Sequence, residues 1–205
     1  MYDIPYFKAE NPKQVIDFMK ANPFAVLCGS NEKGTPVATH LPLLMEERAN
    51  KLFLQGHCMK KQGHTEAYSQ NPQVLAIFSD AHTYVSASWY ENKQTVSTWN
   101  YQAVHVNGIL RFQDENALHS LLTRLTKNFE KPGSPSLVEQ LDPQYVQQMM
   151  KAIVAFEIEV TAIEHVFKLS QNRDERSYQH IIDHLRDLDP GAQKIAEIME
   201  KKIKE

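Results

Sequence analysis

Apolar and polar positions recur along the chain with periods that divide it into short elements. Val15, Ile16, Phe18 and Met19 stand at helical spacing behind Asn11-Pro12. That predicts an amphipathic helix with Asn11 as N-cap and proline in its first turn, ending near Asn22-Pro23. Phe24 to Cys28 reads as a compact apolar strand, Asn31 to Gly34 as a turn, and Pro36 to Met45 as the returning strand. Pro36 and Pro42 confine its pairing, since each removes a ladder donor. Lys51 to Gln55 gives a third strand ending in Gly56-His57, Cys58 to Asn71 a loop leading into a short helix, and Val74 to Phe78 a short buried strand. Two runs rich in β-branched and aromatic residues, Thr83 to Tyr90 and Thr95 to Val106, flank the polar Glu91 to Gln94, which predicts a hairpin.

Beyond Gly108 the strand runs on through Phe112. Asp114-Glu115 starts a helix carrying Leu118, Leu121, Leu122 and Leu125, which ends at the Lys131 to Pro135 breaker. A short helix covers Tyr145 to Lys151, and Ala155 to Ile163 alternates as a strand that Val166 to Arg173 leaves. Ser177 to Glu205 reads as two helices divided near Asp189-Pro190-Gly191. The sum is about seven strands, mostly in antiparallel meander order, with short helices between them. The expected class is α+β, mainly β: a closed or nearly closed barrel with peripheral helices. One domain is expected over residues 1–205, with a C-terminal helical tail from about 174.

Parity along the second run raises a chemical question. In an unbroken strand from Thr95 to Leu110, Val96, Thr98, Asn100, Gln102, Val104 and Val106 share one side, opposite Ser97, Trp99 and Tyr101. A buried polar group without a partner costs on the order of 1–3 kcal/mol. Thr98, Asn100 and Gln102 therefore satisfy one another, sit at a mouth, or bind a ligand; a bulge that breaks the parity is the alternative. Trp89, Trp99, Tyr84, Tyr90 and Tyr101 cluster in the same stretch among Ser86, Ser88 and Ser97. They read either as core filling or as a wall for a flat, partly polar ring.

Composition narrows the class. The 205 residues are 42% hydrophobic and 23% charged, with a net charge of −3. That balance is ordinary for a globular chain and lacks the basic excess of a protein that coats nucleic acid. No apolar run approaches the ~18 residues of a membrane span and the N-terminal stretch has no signal-like apolar region, so a cytoplasmic setting is expected. Cys28 and Cys58 lack CxxC spacing and read as reduced packing thiols. Nine histidines include His40, His57, His64, His82 and His105, but they form no HExxH pattern and no metal site is expected. No GxSxG, P-loop or GxGxxG occurs. His57 and Cys58 are adjacent, which in a strand turns them to opposite faces and weakens a nucleophile pairing. Lys60 and Lys61, after a strand end and before a helix, read either as a phosphate cradle or as ordinary lysines on a solvated surface.

The blocks PVATHLPLL, LQGH, QNPQVLAIF, HTYVSASWY, STWNYQAVHVNG and FKLSQNR, in this order, resemble the PaiB-like family of FMN-binding negative transcriptional regulators from Tyr2 to about Ile195. The resemblance implies an antiparallel split β-barrel similar to pyridoxamine-phosphate oxidase and flavin reductase-like proteins, forming a homodimer with FMN at the subunit interface. It places the phosphate among Thr39 and His40 of PVATHLP and Lys60 and Lys61 after LQGH, and counts Leu41 and His57 among the cofactor-binding residues. The ring falls near Ser86, Thr98, Trp99 and Asn100, with Lys168, Ser170, Gln171 and Arg173 of KLSQNR closing the site. Many family members carry a short GHxAxANP segment where this chain has GHCMKKQGHTEAYSQNP, which leaves open which lysine faces the phosphate. A haem-binding or haem-degrading protein on the same barrel and a cofactor-free DNA- or protein-binding regulator are the alternatives; DNA binding rests on the family name alone.

Overall fold

The computed structural model describes residues 1–203; the last two positions expected in the C-terminal helix, Lys204 and Glu205, lie outside the described residues. Six helices and seven strands follow one another as α1 (Pro12–Ala21), β1 (Phe24–Ser30), β2 (Pro36–Pro42), β3 (Leu44–Arg48), β4 (Lys51–Met59), α2 (Gly63–Gln70), β5 (Gln73–Val85), β6 (Thr98–Phe112), α3 (Glu115–Phe129), α4 (Pro143–Met150), β7 (Ile153–Lys168), α5 (Glu175–Arg186) and α6 (Pro190–Ile203). The strands are hydrogen-bonded in the order β2-β1-β5-β6-β7-β4-β3. The fold is the expected antiparallel split barrel of the α+β, mainly β, class. Two compact units divide the chain: residues 23–78 with 105–163, and residues 1–22 with 79–104 and 164–205. Strands β5, β6 and β7 contribute a segment to each.

In the first unit β1 pairs antiparallel with β2 from Phe24↔Pro42 to Ser30↔Pro36, so the two prolines bound β2 at the sheet edge, where a missing donor costs least. The expected Pro36 to Met45 strand is broken at Leu43, which is buried and whose amide donates to Pro23 O at 2.9 Å; β3 then pairs with β4. Strand β4 runs further than Gln55, through Gly56, His57 and Cys58, because β7 pairs with that stretch, in a register from Phe53↔Glu159 to Met59↔Ile153. Gly56 and Gly108 permit close packing: a Cβ on Gly108 would lie 2.4 Å from Ile158 Cγ2 and 2.7 Å from Glu159 O. Asp114 caps α3 by accepting from Ala117 N, and Leu118, Leu121 and Leu125 join Val146 and Met150 of α4 in a second small core.

In the other unit Asn11 caps α1 as expected, its side chain accepting from Gln14 N. The largest correction is the hairpin. Val74 to Phe78 and Thr83 to Val85 are one strand, β5, while Ser86 to Ser97 is a folded connection, so the second run begins its strand at Thr98 and not at Thr95. Ser86 caps a 3-10 turn over Ala87–Trp89, Ser97 Oγ accepts from Ala87 N at 2.9 Å, and Lys93 donates to Ser88 O and Tyr90 O at 2.9 and 2.6 Å. Local serine hydrogen bonds compete with the ladder there. Val96, expected on the buried face, is 77% exposed for the same reason. Val166 to Lys168 stay in β7, and Ile181, Ile182, Leu185, Ile195 and Met199 of α5 and α6 form a core with Val85, Tyr90 and Leu169.

Candidate functional site

The KLSQNR block folds as a tight turn at the end of β7. Ser170 takes a left-handed backbone, φ 62°, and Arg173 N donates to Ser170 O at 3.0 Å. That conformation is held from outside the turn, since Ser170 Oγ donates to Asn100 Oδ1 at 2.9 Å. Asn100 is fully buried, and its amide nitrogen donates to Met199 Sδ at 3.5 Å. The polar interruption of the β6 face is thus resolved at Asn100 by partners from β7's end and α6, so this pair positions the turn. Lys168 Nζ donates to Thr98 Oγ1 and, at 3.0 Å, to Trp99 O. Burial, then the Arg173 charge, lowers the Lys168 pKa. Gln171 folds back on its own turn, accepting from Leu169 N at 2.7 Å and donating to Phe167 O. Arg173 lies 4.1 Å over the Tyr90 ring and donates to Thr95 Oγ1 at 3.3 Å. Five of the eight residues that the resemblance grouped here, Thr98, Trp99, Asn100, Lys168 and Ser170, meet through direct hydrogen bonds.

Ser86 and Trp99 line a cavity of about 600 Å³ whose other walls include His82, Tyr84, Trp89 and Asp189. Trp99 is 52% exposed and has His82 and Tyr84 each at 5.9 Å between ring centroids. Trp89 is stacked on His184 at 4.9 Å. Of the aromatic concentration, Tyr90 is buried as core filling, while Trp99 and Tyr84 are exposed in the lining of this cavity. Tyr84 and Trp89 were visible in the sequence cluster. Leu188 and Asp189 were not, because they arrive from the α5–α6 connection, remote along the chain.

In the unit that holds β1 to β4, Thr39 and His40 occupy successive positions of β2, opposite Leu27 and Val26. His40 is exposed with its ring 6.2 Å from that of Phe24, while Leu41 is in the core. His57 lies opposite Ala155 inside β4, and its Nδ1 is buried without a hydrogen-bond partner. Burial lowers its pKa, keeping the ring neutral at pH 7. Cys58 is buried against the Thr65 hydroxyl at 3.3 Å, and burial raises its pKa, the reverse of an activated thiolate. Lys60 and Lys61 are exposed and, among the described residues, make no ion pair; the Lys60 amide donates to Ala152 O at 2.9 Å. Helix α2 follows directly, and its N-cap residue Gln62 makes no side-chain cap, leaving first-turn amides open beside two cations. Among the described residues no three His, Cys, Asp or Glu side chains converge as a metal set.

One consequence of these histidines is a pH dependence. Burial lowers the pKa of His57, of His64 and of His165, where the Lys8 charge adds to it. His165 Nε2 accepts from Ala9 N at 2.9 Å, a bond that needs the neutral ring. Groups whose folded pKa lies below the unfolded ~6.5 favour the folded state fully above that value. Their contribution is lost as pH falls from about 6.5 toward the lowered pKa. The urea midpoint is expected to fall between pH 7 and pH 5, and His165→Gln to reduce the slope; a flat profile would contradict the assignment.

Residues 1–162 match a family described as "Putative FMN-binding domain". Protease synthase and sporulation protein PAI 2 of Bacillus subtilis (strain 168) is 35% identical over 206 residues, spanning 100% of this chain and 99% of that protein. Among solved structures, the flavocytochrome Anf3 from Azotobacter vinelandii aligns with a TM-score of 0.59 at 15% identity, covering 87% of this chain and 78% of that one. The FAD and heme binding protein from Mycobacterium smegmatis aligns at 0.58 and 15%, covering 78% and 72%. At that identity the two structures speak to the fold alone.

Proposed function

From the premise that this chain belongs to the PaiB-like family of FMN-binding proteins, we propose that its flavin ring lies in the aromatic cavity of Trp99, Tyr84 and His82 and that a second copy of the chain supplies the phosphate seat. The cofactor is FMN, which when bound supplies one- and two-electron transfer. The observation that carries the reading is the chemistry of the cavity: flat aromatic walls with polar Ser86, but Asp189 and, among the described residues, no lysine or arginine. A flavin ring fits such walls, and a phosphate does not fit beside a carboxylate. The phosphate, with up to two negative charges, needs forked or multiple cationic donors. Lys60 and Lys61 offer the cationic donors at the start of α2, with the Thr39 hydroxyl and the His40 and His57 rings as further polar groups of the same seat. Lys168, Ser170, Asn100 and Thr98 fix the floor behind Trp99, and Gln171 and Arg173 hold the turn that carries them.

The test is a flavin titration. The protein as isolated is expected to absorb as an oxidised flavin, or to quench added FMN at micromolar concentrations; no quenching at about 50 µM would remove the reading. Replacing Lys60 and Lys61 together by alanine should weaken FMN about tenfold and riboflavin hardly at all, since only FMN carries the phosphate. Equal losses would place the lysines elsewhere. Sedimentation should show a dimer at micromolar concentration.

Haem is the second reading, favoured by one feature: His82 is an exposed imidazole in the same cavity. A Soret band shifted by His82→Ala would support it over flavin. Regulation through DNA is expected to be weak at ~0.15 M salt, because a net charge of −3 gives no basic footprint. Among the described residues no helix is long and apolar enough to cross a membrane, and free Cys28 and Cys58 fit a reducing cytoplasm.

A further inference from the structure

A second cavity, about 670 Å³, opens beside the first turn of α5, where Arg173 and Arg176 meet Lys202 of α6. Its charges are not in balance. Lys202 already has Glu10 at 3.0 Å, so two guanidiniums face the single carboxylate of Glu175. The nearby Asp174 is turned away, since its carboxylate accepts from Ser177 N and Ser177 Oγ at 2.9 and 2.7 Å. Arg176 is exposed and, among the described residues, makes no ion pair. Arg173 is held rigid by stacking on Tyr90 and by Thr95, yet its Nε is buried without a hydrogen-bond partner. An orphaned guanidinium N–H under burial is costly unless something accepts from it. The Tyr178 side chain, its hydroxyl engaged with Met199 O at 3.2 Å, lines the same space.

Two arginines, one held in place by Tyr90 and Thr95 and one free, suit an oxyanion that takes forked hydrogen bonds. The positive end of α5 adds to the same field. The volume lies within the range of small-molecule sites, and the tyrosine gives a body something to pack on. We propose that this cavity binds the phosphate of a phosphorylated small molecule of about mononucleotide size, as a second ligand distinct from the flavin. A pyridine nucleotide serving as electron donor and a phosphorylated metabolite serving as effector share that chemistry.

The experiment titrates the FMN-loaded protein with adenosine 5′-monophosphate by calorimetry at low salt, with adenosine and inorganic phosphate as separate arms. The monophosphate is expected to bind saturably, adenosine at least tenfold more weakly, and Arg176→Ala to weaken the monophosphate at least tenfold while FMN affinity stays within twofold. Arg176 is exposed, so the variant keeps the fold; Arg176→Lys should recover part of the loss. Binding of inorganic phosphate as tight as that of the monophosphate would favour a bare anion and overturn the mononucleotide assignment. Non-saturable binding, or indifference to Arg176→Ala, would overturn the site. A loss of FMN but not riboflavin in Arg176→Ala would make this the flavin phosphate's own seat, ending the second-ligand proposal while leaving flavin binding intact. If the chain takes no flavin at all, the same titration on the unloaded protein still decides the anion site.

Discussion

Gly108→Ala is expected to destabilise the protein by about 3 kcal/mol or more, at the upper end of what overpacking a core costs. The reason is geometric. The added methyl meets Ile158 Cγ2 at 2.4 Å and the Glu159 carbonyl oxygen at 2.7 Å. A side-chain tip can swing away, but Glu159 O is backbone of β7, and Ile158 is fully buried. Relief therefore requires β6 and β7 to separate where Gly108 lies against Ile158 and Glu159. For a chain of this size the loss corresponds to a fall in Tm of roughly 6–12 °C. Gly63→Ala is the control: nothing lies within 4 Å of its Cβ position, and the urea midpoint should hardly move. Equal midpoints for the two variants would show that β6 and β7 are not packed as described.

Trp99→Ala is expected to weaken FMN and riboflavin alike by about thirtyfold, corresponding to ~2 kcal/mol of aromatic stacking. Trp99 is half-exposed on β6, and its ring contacts are His82 and Tyr84, so its removal opens the cavity wall without a core cavity. The urea midpoint should stay close to that of the parent while the flavin titration moves. The parallel loss of both flavins separates this variant from the lysine pair, where only the phosphate-bearing ligand suffers. Unchanged affinity for both would place the ring outside this cavity. Trp99→Phe keeps a flat face and should recover most of the binding.

The periodic parts of the chain were legible from local chemistry. Helix α1 began at the asparagine and proline expected of it, α3 at Asp114, and the C-terminal pair divided at Asp189-Pro190-Gly191, because caps and prolines act over a few residues. Strand lengths were less legible. Strand β4 continues through His57 and Cys58, and β7 through Lys168, although neither stretch alternates cleanly; pairing with a distant neighbour decides it. The hairpin failed because β-propensity in Ser86 to Tyr90 is outweighed by Ser86, Ser97 and Lys93 hydrogen bonds that no pattern of apolar residues announces. The grouping of Thr98, Trp99, Asn100, Lys168 and Ser170 was indicated by motif resemblance, but the second partner of Asn100, Met199, lies ninety-nine residues away on α6.

Local sequence determined where the helices begin, where prolines bar pairing and which aromatic residues stand together, since backbone capping and side-chain alternation are short-range effects. Tertiary structure decided which of those aromatics are buried and which are exposed around a cavity, that Asn100 is spent on the turn behind it, and that Arg173 and Arg176 meet Lys202 around one space. Each of these depends on which distant groups compete for the same donor, acceptor or volume, and that competition exists only once the chain has closed on itself.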